Sequence, residues 1–214
     1  MTSSDLPVSN PDLRAVAIAF AVERQVLAPE LEQSIEDKER IAAGLLLCLS
    51  MMVGQTIADV KIERLDRIYP PGRNQGLIDF KLVCRLPAQV QLGICILPFV
   101  DAEVVRTACT KLLVYKDFGL DRLCLIRQRD LMTNVRQLPT CLPKLLSTDI
   151  GGNFIPLKSK DVLFILTTLS VFQQKQQHEI TNELIFAYLS KEELLIKNEL
   201  IKSILVSAQF WIRL

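Results

Sequence analysis

The spacing of hydrophobic residues changes along this chain, and each change marks a different kind of element. Up to residue 55, apolar residues recur every three or four positions over residues 11–27 and about 37–55, which is typical of helices. From residue 60 onward the period is two, which predicts strands at about 60–69, 76–86 and 89–97. Because short loops connect these strands, they are predicted to be antiparallel neighbours.

The second and third strands separate their side chains into two faces, since successive residues of a strand point in opposite directions. On the second strand one face carries Ile78, Phe80, Leu82, Cys84 and Leu86, and the other carries Leu77, Asp79, Lys81, Val83 and Arg85. On the third strand the two sets are Val90, Leu92, Ile94 and Ile96 against Gln89, Gln91, Gly93 and Cys95.

A helix from Asp101 to about Lys116 and a short apolar strand at 123–126 follow the meander. A fully apolar strand after a helix is typical of an interior strand, here parallel to one of the earlier three. The predicted fold class is therefore α/β, with a core in the order helix, three-stranded antiparallel meander, helix, strand.

Residues 147–156, which include Gly151 and Gly152, predict a domain boundary. Three helical segments follow, at about 160–174, 179–189 and 191–208, the last after a capping box at Ser190. We expect an α/β core over residues 1–148, including the N-terminal helices, and a helical C-terminal module over residues 155–214.

Charge is unevenly distributed, although the net charge is only +1. Residues 1–60 hold 4 Lys/Arg and 9 Asp/Glu, residues 61–145 hold 14 and 8, and residues 146–214 hold 7 and 7. The basic middle segment is compatible with an anionic partner such as DNA. Contact between the acidic and basic segments, or scattered solvated charges, explains it equally.

The six cysteines contain no CxxC pair, and most lie in apolar runs, which is typical of core residues in a reducing compartment. With a single histidine, His178, a zinc site or a Cys–His nucleophile pair is not expected. The first ten residues are polar, and no apolar run reaches the roughly 20 residues of a membrane span. We therefore expect a soluble, cytoplasmic protein.

Asp79 and Lys81 are the acidic and basic pair placed for chemistry, on one face of the second strand. With this order of elements, residues 37–128 resemble the core of the PD-(D/E)XK, or restriction-endonuclease-like, superfamily. The resemblance implies a magnesium site in which an aspartate on the second strand, matched here by Asp79, and an acidic-x-lysine on the third strand hold the metal. Glu39, or Glu36, near the start of the preceding helix would add a carboxylate.

The third strand departs from that pattern, because Gln91-Leu92-Gly93 stands where acidic-x-lysine is expected. Either Lys81 supplies the ammonium group, or the register shifts so that Asp66 is the first acid and Asp79-Phe80-Lys81 is the acidic-x-lysine. The alternative interpretation is a plain ion pair of Asp79 and Lys81 on a partly exposed sheet face, stabilising by about 0.5 kcal/mol.

Two further features bear on partners. Arg127, Arg129 and Arg136 follow the fourth strand and are candidates for phosphate contacts, although a solvated basic face is the commoner explanation. The tail at 210–214 carries the single tryptophan, Trp211, which docks on its own domain or anchors a partner chain together with the C-terminal helices.

The sequence thus favours a nuclease-like-fold protein with an incomplete active site, acting as a non-catalytic nucleic-acid-associated or protein-interaction subunit of a larger assembly. No cofactor is expected in that case. The alternatives are a magnesium-dependent DNA endonuclease, for which Mg²⁺ would be the cofactor, and a pure protein-binding scaffold. A homo-oligomer is a further possibility, and no membrane partner is expected.

Overall fold

The predicted meander is present, and it forms one half of a mixed sheet. The computed structural model describes residues 11–68, 76–86, 88–97, 102–128, 141–147 and 150–209. The sheet holds six strands of the described chain in sequence order: β1 (Thr56–Ile57), β2 (Val60–Asp66), β3 (Phe80–Leu86), β4 (Ala88–Ile96), β5 (Arg122–Gln128) and β6 (Gly152–Leu157). The helices are α1 (Pro11–Leu27), α2 (Leu31–Ser34), α3 (Lys38–Ser50), α4 (Ala102–Leu112), α5 (Cys141–Leu145), α6 (Ser159–Gln173), α7 (Asn182–Lys191), α8 (Leu194–Lys197) and α9 (Glu199–Gln209).

The antiparallel half of the sheet follows the predicted pairing. β2 pairs with β3, and β3 pairs with β4, with Asp66 opposite Lys81 and Lys81 opposite Gly93. The register shifts between Ile62 and Arg64, so Glu63 is an extra residue in β2. The predicted antiparallel meander is confirmed.

The parallel half contains one strand that was predicted and one that was not. β5 lies parallel to β4, with Ile94 opposite Cys124, which confirms the predicted parallel strand. β6 lies parallel to β5 within the stretch predicted as a boundary. β6 is the edge strand, where a proline such as Pro156 costs no ladder hydrogen bond to a further strand.

One face of the sheet is covered by α3 and α9, and α6 and α1 form an outer layer in which α6 packs against α3 and α1 packs against α6. The buried side chains of this face include the predicted apolar sets of β3 and β4, apart from Ile78 and from Leu86, whose side chain lies outside the described part. Buried residues from the N-terminal helices, from the sheet and from the C-terminal helices form this single cluster. The predicted division between residues 148 and 155 therefore does not coincide with a break in the hydrophobic core.

The opposite face is covered only in part by the residues that the structure describes. Over β4 and β5, the side chains of Cys95, Leu123 and Leu125 pack under α4 and α5. Over β2, β3 and the start of β4 the side chains are mostly polar and reach solvent. We call this uncovered area the open face, and it consists of Lys61, Glu63, Arg64, Asp66, Lys81, Arg85, Gln89 and Gln91.

The C-terminal helix is attached to the sheet by polar contacts as well as by packing. Nη1 of Arg122 on β5 donates to the carbonyl oxygens of Ser207, at 3.1 Å, and Ala208. A cation at the end of a helix meets the carbonyl groups that have no partner within the helix. Arg122 therefore joins the last turn of α9 to the start of β5.

Several helix ends differ from the predicted ones because other side chains supply the caps. Asp37 caps α3 by accepting the Arg40 N–H at 3.0 Å, so the helix begins at Lys38 and ends at Ser50, before the predicted residue 55. The predicted helix over residues 191–208 is broken, since the Asn198 side chain accepts the Ile201 N–H and starts α9. A side-chain acceptor facing a free amide at the first turn stabilises such a start by about 1 kcal/mol.

The structure confirms a mixed α/β protein. Among the helices of the described ranges, none has the length and apolar character needed to cross a bilayer.

Candidate functional site

Asp79 lies immediately before β3, at the end of the sheet where β4 finishes. Its N–H donates to the Ile94 carbonyl at 2.8 Å, and its Oδ2 accepts the Ile96 N–H at 2.7 Å. The carboxylate thus extends the pairing of β3 and β4 by one side-chain hydrogen bond. Only 7 % of the side chain is exposed.

Lys38, in the first turn of α3, provides the cation for this carboxylate. Its Nζ lies 3.2 Å from Asp79 Oδ1 and donates to the Gly76 carbonyl at 2.8 Å. The Lys38 side chain is 13 % exposed, so both charges are largely removed from water. The ammonium group joins α3 to the segment that leads into β3.

Burial raises the pKa of Asp79 from 3.8 to about 6. The low-dielectric surroundings penalise the charged form, and this effect exceeds the opposing stabilisation by Lys38 and by the Ile96 N–H. Glu39 adds a smaller repulsion in the same direction as burial. Asp79 therefore lies in an environment that disfavours the ionised form of its side chain.

Glu39 and Asp79 line one cavity of about 310 Å³ between α3 and the β2–β3 segment. Arg67, Ile68 and Gly76 also contribute to its wall. Two carboxylates and one guanidinium group therefore border a single space, next to the Lys38–Asp79 pair.

The other predicted site residues form a separate group on the open face. Lys81 Nζ donates to Gln91 Oε1 at 2.7 Å and lies 3.5 Å from Asp66 Oδ2. Gln91 is opposite Val83 in the register, whereas Asp79 bonds to the backbone of Ile94 and Ile96. The structure thus brings Asp79 and Glu39 together on one cavity, and it brings Asp66, Lys81 and Gln91 together elsewhere.

Arg127, the first of the three arginines considered for phosphate contacts, is buried. It is 4 % exposed, and its Nε has no hydrogen-bond partner among the described residues. Burial lowers its pKa, while neighbouring Cys109 opposes that change. A phosphate contact by Arg127 gains no support from this position, and Arg129, Arg136, Asp101 and Trp211 lie outside the described residues.

The surroundings of Asp79 do not fit a magnesium ion of the kind that the resemblance implies. Mg²⁺ requires oxygen ligands in near-octahedral geometry. Here Lys38 occupies Oδ1 and the Ile96 N–H occupies Oδ2, which leaves Glu39 as the neighbouring carboxylate. Within the described part of the chain, no cluster of three or more His, Cys, Asp or Glu side chains could hold a metal ion.

Two polar features of the structure were not predicted. Lys38 follows the capping aspartate of α3, and nothing in its local spacing indicates that it meets Asp79. Glu23 lies among the buried positions of α1 and accepts Ser170 Oγ at 2.6 Å, and its other oxygen lies 2.9 Å from His178 Nε2. For Glu23 the sequence did contain a signal, since it lies three and four residues from the core residues Phe20 and Leu27.

Comparison with family models, with curated proteins and with solved structures finds no match for this chain.

Proposed function

We propose that this chain is a non-catalytic, nucleic-acid-associated subunit with a nuclease-like core. The ion pair of Lys38 and Asp79 is the observation that supports a non-catalytic role. An ammonium group bonded to the carboxylate takes the place that a metal ion needs. The buried pair then serves to fix α3 against β3, because both charges depend on each other once removed from water.

The order of elements supports the nuclease-like part of the proposal. α3, the meander of β2 to β4, α4 and the parallel strand β5 follow the order on which the resemblance rests. The third strand of the meander has Gln91 and Gly93 in place of an acid and a lysine. Gln91 holds Lys81 by a hydrogen bond, which gives both residues a role within the sheet.

The open face supports the nucleic-acid part of the proposal. It carries four cations and two carboxylates: Lys61, Arg64, Lys81 and Arg85 against Glu63 and Asp66. Arg64 and Arg85 are 52 % and 55 % exposed, so their guanidinium groups reach solvent even though each contacts a carboxylate. Exposed guanidinium groups on a polar surface suit contacts with a phosphate backbone.

Duplex DNA binding measured by fluorescence anisotropy tests this proposal. We expect binding at low salt that weakens as salt rises, because phosphate contacts release counterions. Arg64→Glu and Arg85→Glu should each weaken binding, whereas Lys191→Glu, at the exposed end of α7, should not. Binding that is absent at low salt, or equal in all three variants, would contradict the nucleic-acid role.

The failure of DNA binding would leave a protein-binding scaffold as the interpretation of a non-catalytic chain.

The magnesium-dependent endonuclease is the second candidate, and the shared cavity of Asp79 and Glu39 is the feature that favours it. Cleavage by the wild-type protein that is lost in Asp79→Asn would establish that candidate instead.

A further inference from the structure

A second and larger cleft lies where α1, α6, α7 and α8 meet, with a volume of about 570 Å³. It shares no lining residue with the cavity at Asp79. Its volume is within the range of roughly 300–1,000 Å³ that is typical of pockets for small molecules.

Aromatic side chains from three helices supply much of the wall of this cleft. Phe20 of α1 and Tyr188 of α7 have ring centroids 5.3 Å apart at an interplanar angle of 40°, and Phe164 of α6 lines the same space. On α1 the lining positions next to Phe20 are Ala17 and Ala21, whose short side chains leave room beside the rings. Such a wall suits a planar apolar group.

Asp161, near the start of α6, is the acidic residue of the cleft wall. It is 4 % exposed, and its Oδ2 is closed to solvent and has no hydrogen-bond partner within the described ranges. Its carboxyl also receives a hydrogen bond from the Glu199 N–H. A buried acceptor without a donor is costly, so the carboxylate gains by turning toward a ligand that offers an N–H group at this wall of the cleft.

Three basic side chains line the same cleft: Arg24, Lys160 and Lys197. Lys197 is engaged, since its Nζ donates to the Glu192 carbonyl at 2.9 Å. Arg24 and Lys160 are exposed, and no carboxylate of the described residues lies within ion-pair distance of either. The charge of Lys160 attracts the Asp161 carboxyl over a longer distance. These two cations suit an anionic group at the mouth of the cleft.

We infer that this cleft binds a nucleoside phosphate, either free or at the end of a strand. The base packs against Phe20, Phe164 and Tyr188 and donates an N–H to Asp161, and the phosphate contacts Arg24 and Lys160. A fatty acid matches less well, because it has no donor for Asp161. A neutral aromatic molecule matches less well, because it gives the two cations no counterion.

Titration of the full chain with AMP, GMP, CMP and UMP, followed in ¹H–¹⁵N correlation spectra, tests the inference. We expect saturable shifts for at least one mononucleotide, confined to α1, α6, α7 and α8, with a Kd on the order of 100 µM. The matching nucleoside should bind about tenfold more weakly, because it lacks the phosphate contacts. Dinucleotides with a 5′ or a 3′ terminal phosphate distinguish a strand end from a free nucleotide.

Substitutions in the cleft distinguish the contacts to the phosphate from the contacts to the base. Arg24→Glu should weaken the mononucleotide about tenfold and leave the nucleoside unchanged, and Lys191→Glu is the matched control outside the cleft. Lys160→Glu should also weaken the mononucleotide, and it removes a positive charge that attracts Asp161. Asp161→Asn should weaken both ligands. Because Asp161 also meets the Glu199 N–H, the two rim variants keep the test decisive if Asp161→Asn fails to fold.

The inference is overturned if no mononucleotide gives saturable shifts up to about 5 mM, or if the rim variants bind as the wild type does. It does not depend on the open face. Arg85→Glu should leave mononucleotide binding unchanged, so failure of the duplex-binding proposal and failure of the cleft are distinguishable.

Discussion

Replacing Asp79 by Asn should remove a pH dependence of stability that this single buried carboxylate produces. Asparagine has nearly the same shape, and its side-chain oxygen can still accept the Ile96 N–H. It carries no charge that burial can penalise. The difference in unfolding free energy between wild type and Asp79→Asn therefore isolates the titration of Asp79, because the other ionisable groups are common to both proteins.

The sign and size of the effect follow from the raised pKa. The folded protein holds the proton of Asp79 up to about pH 6, whereas an unfolded aspartate loses it near pH 3.8. Between these values the folded state binds more protons than the unfolded state, so the stabilising contribution is full below pH 3.8 and is lost as the pH rises through 6. A tenfold change in acid strength corresponds to about 1.4 kcal/mol, so the loss amounts to about 3 kcal/mol.

Urea unfolding of both proteins between pH 3.5 and 7.5, roughly the range that brackets both pKa values, measures this difference. The control is Glu63→Gln on the open face, where hydrogen bonds from Arg85 and Gln89 lower the pKa of Glu63. Its stabilisation is present at higher pH and is lost as the pH falls, so its difference curve should slope in the opposite direction. A wild-type-minus-Asp79→Asn difference that is flat, or that rises with pH, would refute the account of Asp79.

Three further changes test the packing of the helices in the main hydrophobic cluster, each by urea unfolding. Glu23→Ala should destabilise the chain by about 3 kcal/mol, because it leaves Ser170 and Gln174 without their shared acceptor, and Glu23→Gln should cost less. Gly44→Ala should destabilise the chain by about 1–3 kcal/mol, because the alanine Cβ would lie 2.6 Å from Ile165 Cγ2. This cost should exceed the gain from the higher helix propensity of alanine. A gain in stability would show that α3 and α6 are not so closely packed. A chain of residues 1–148 should lack cooperative unfolding, because it loses β6, α6 and α9 from the sheet and the main cluster, and a stable folded fragment would support the predicted two-domain division.

The meander was predictable because period-two alternation and short loops are local signals. β6 was not, because Gly151, Gly152 and Pro156 are the usual marks of a loop. In the structure position 152 requires glycine because its backbone lies close to α5: a Cβ there would lie 2.5 Å from the Leu145 carbonyl oxygen. Pro156 is tolerated because β6 is the edge of the sheet.

The candidate site was predictable only in part. Asp79 was predicted as a site residue because it is an acid within an apolar strand, and Glu39 was predicted as a further carboxylate from the order of elements. The partner of Asp79 is Lys38, however, and this contact depends on how α3 packs against the start of β3. A tertiary contact of this kind leaves no trace in hydrophobic periodicity, which reports only the face of each element.

The most direct test of the proposed non-catalytic role is DNA cleavage by purified wild type and Asp79→Asn, each with Mg²⁺ and with Mn²⁺. Because Lys38 holds the carboxylate where a metal ion would be needed, we expect that the two proteins do not differ from each other or from a protein-free control. Metal-dependent cleavage by the wild type that Asp79→Asn abolishes would contradict it.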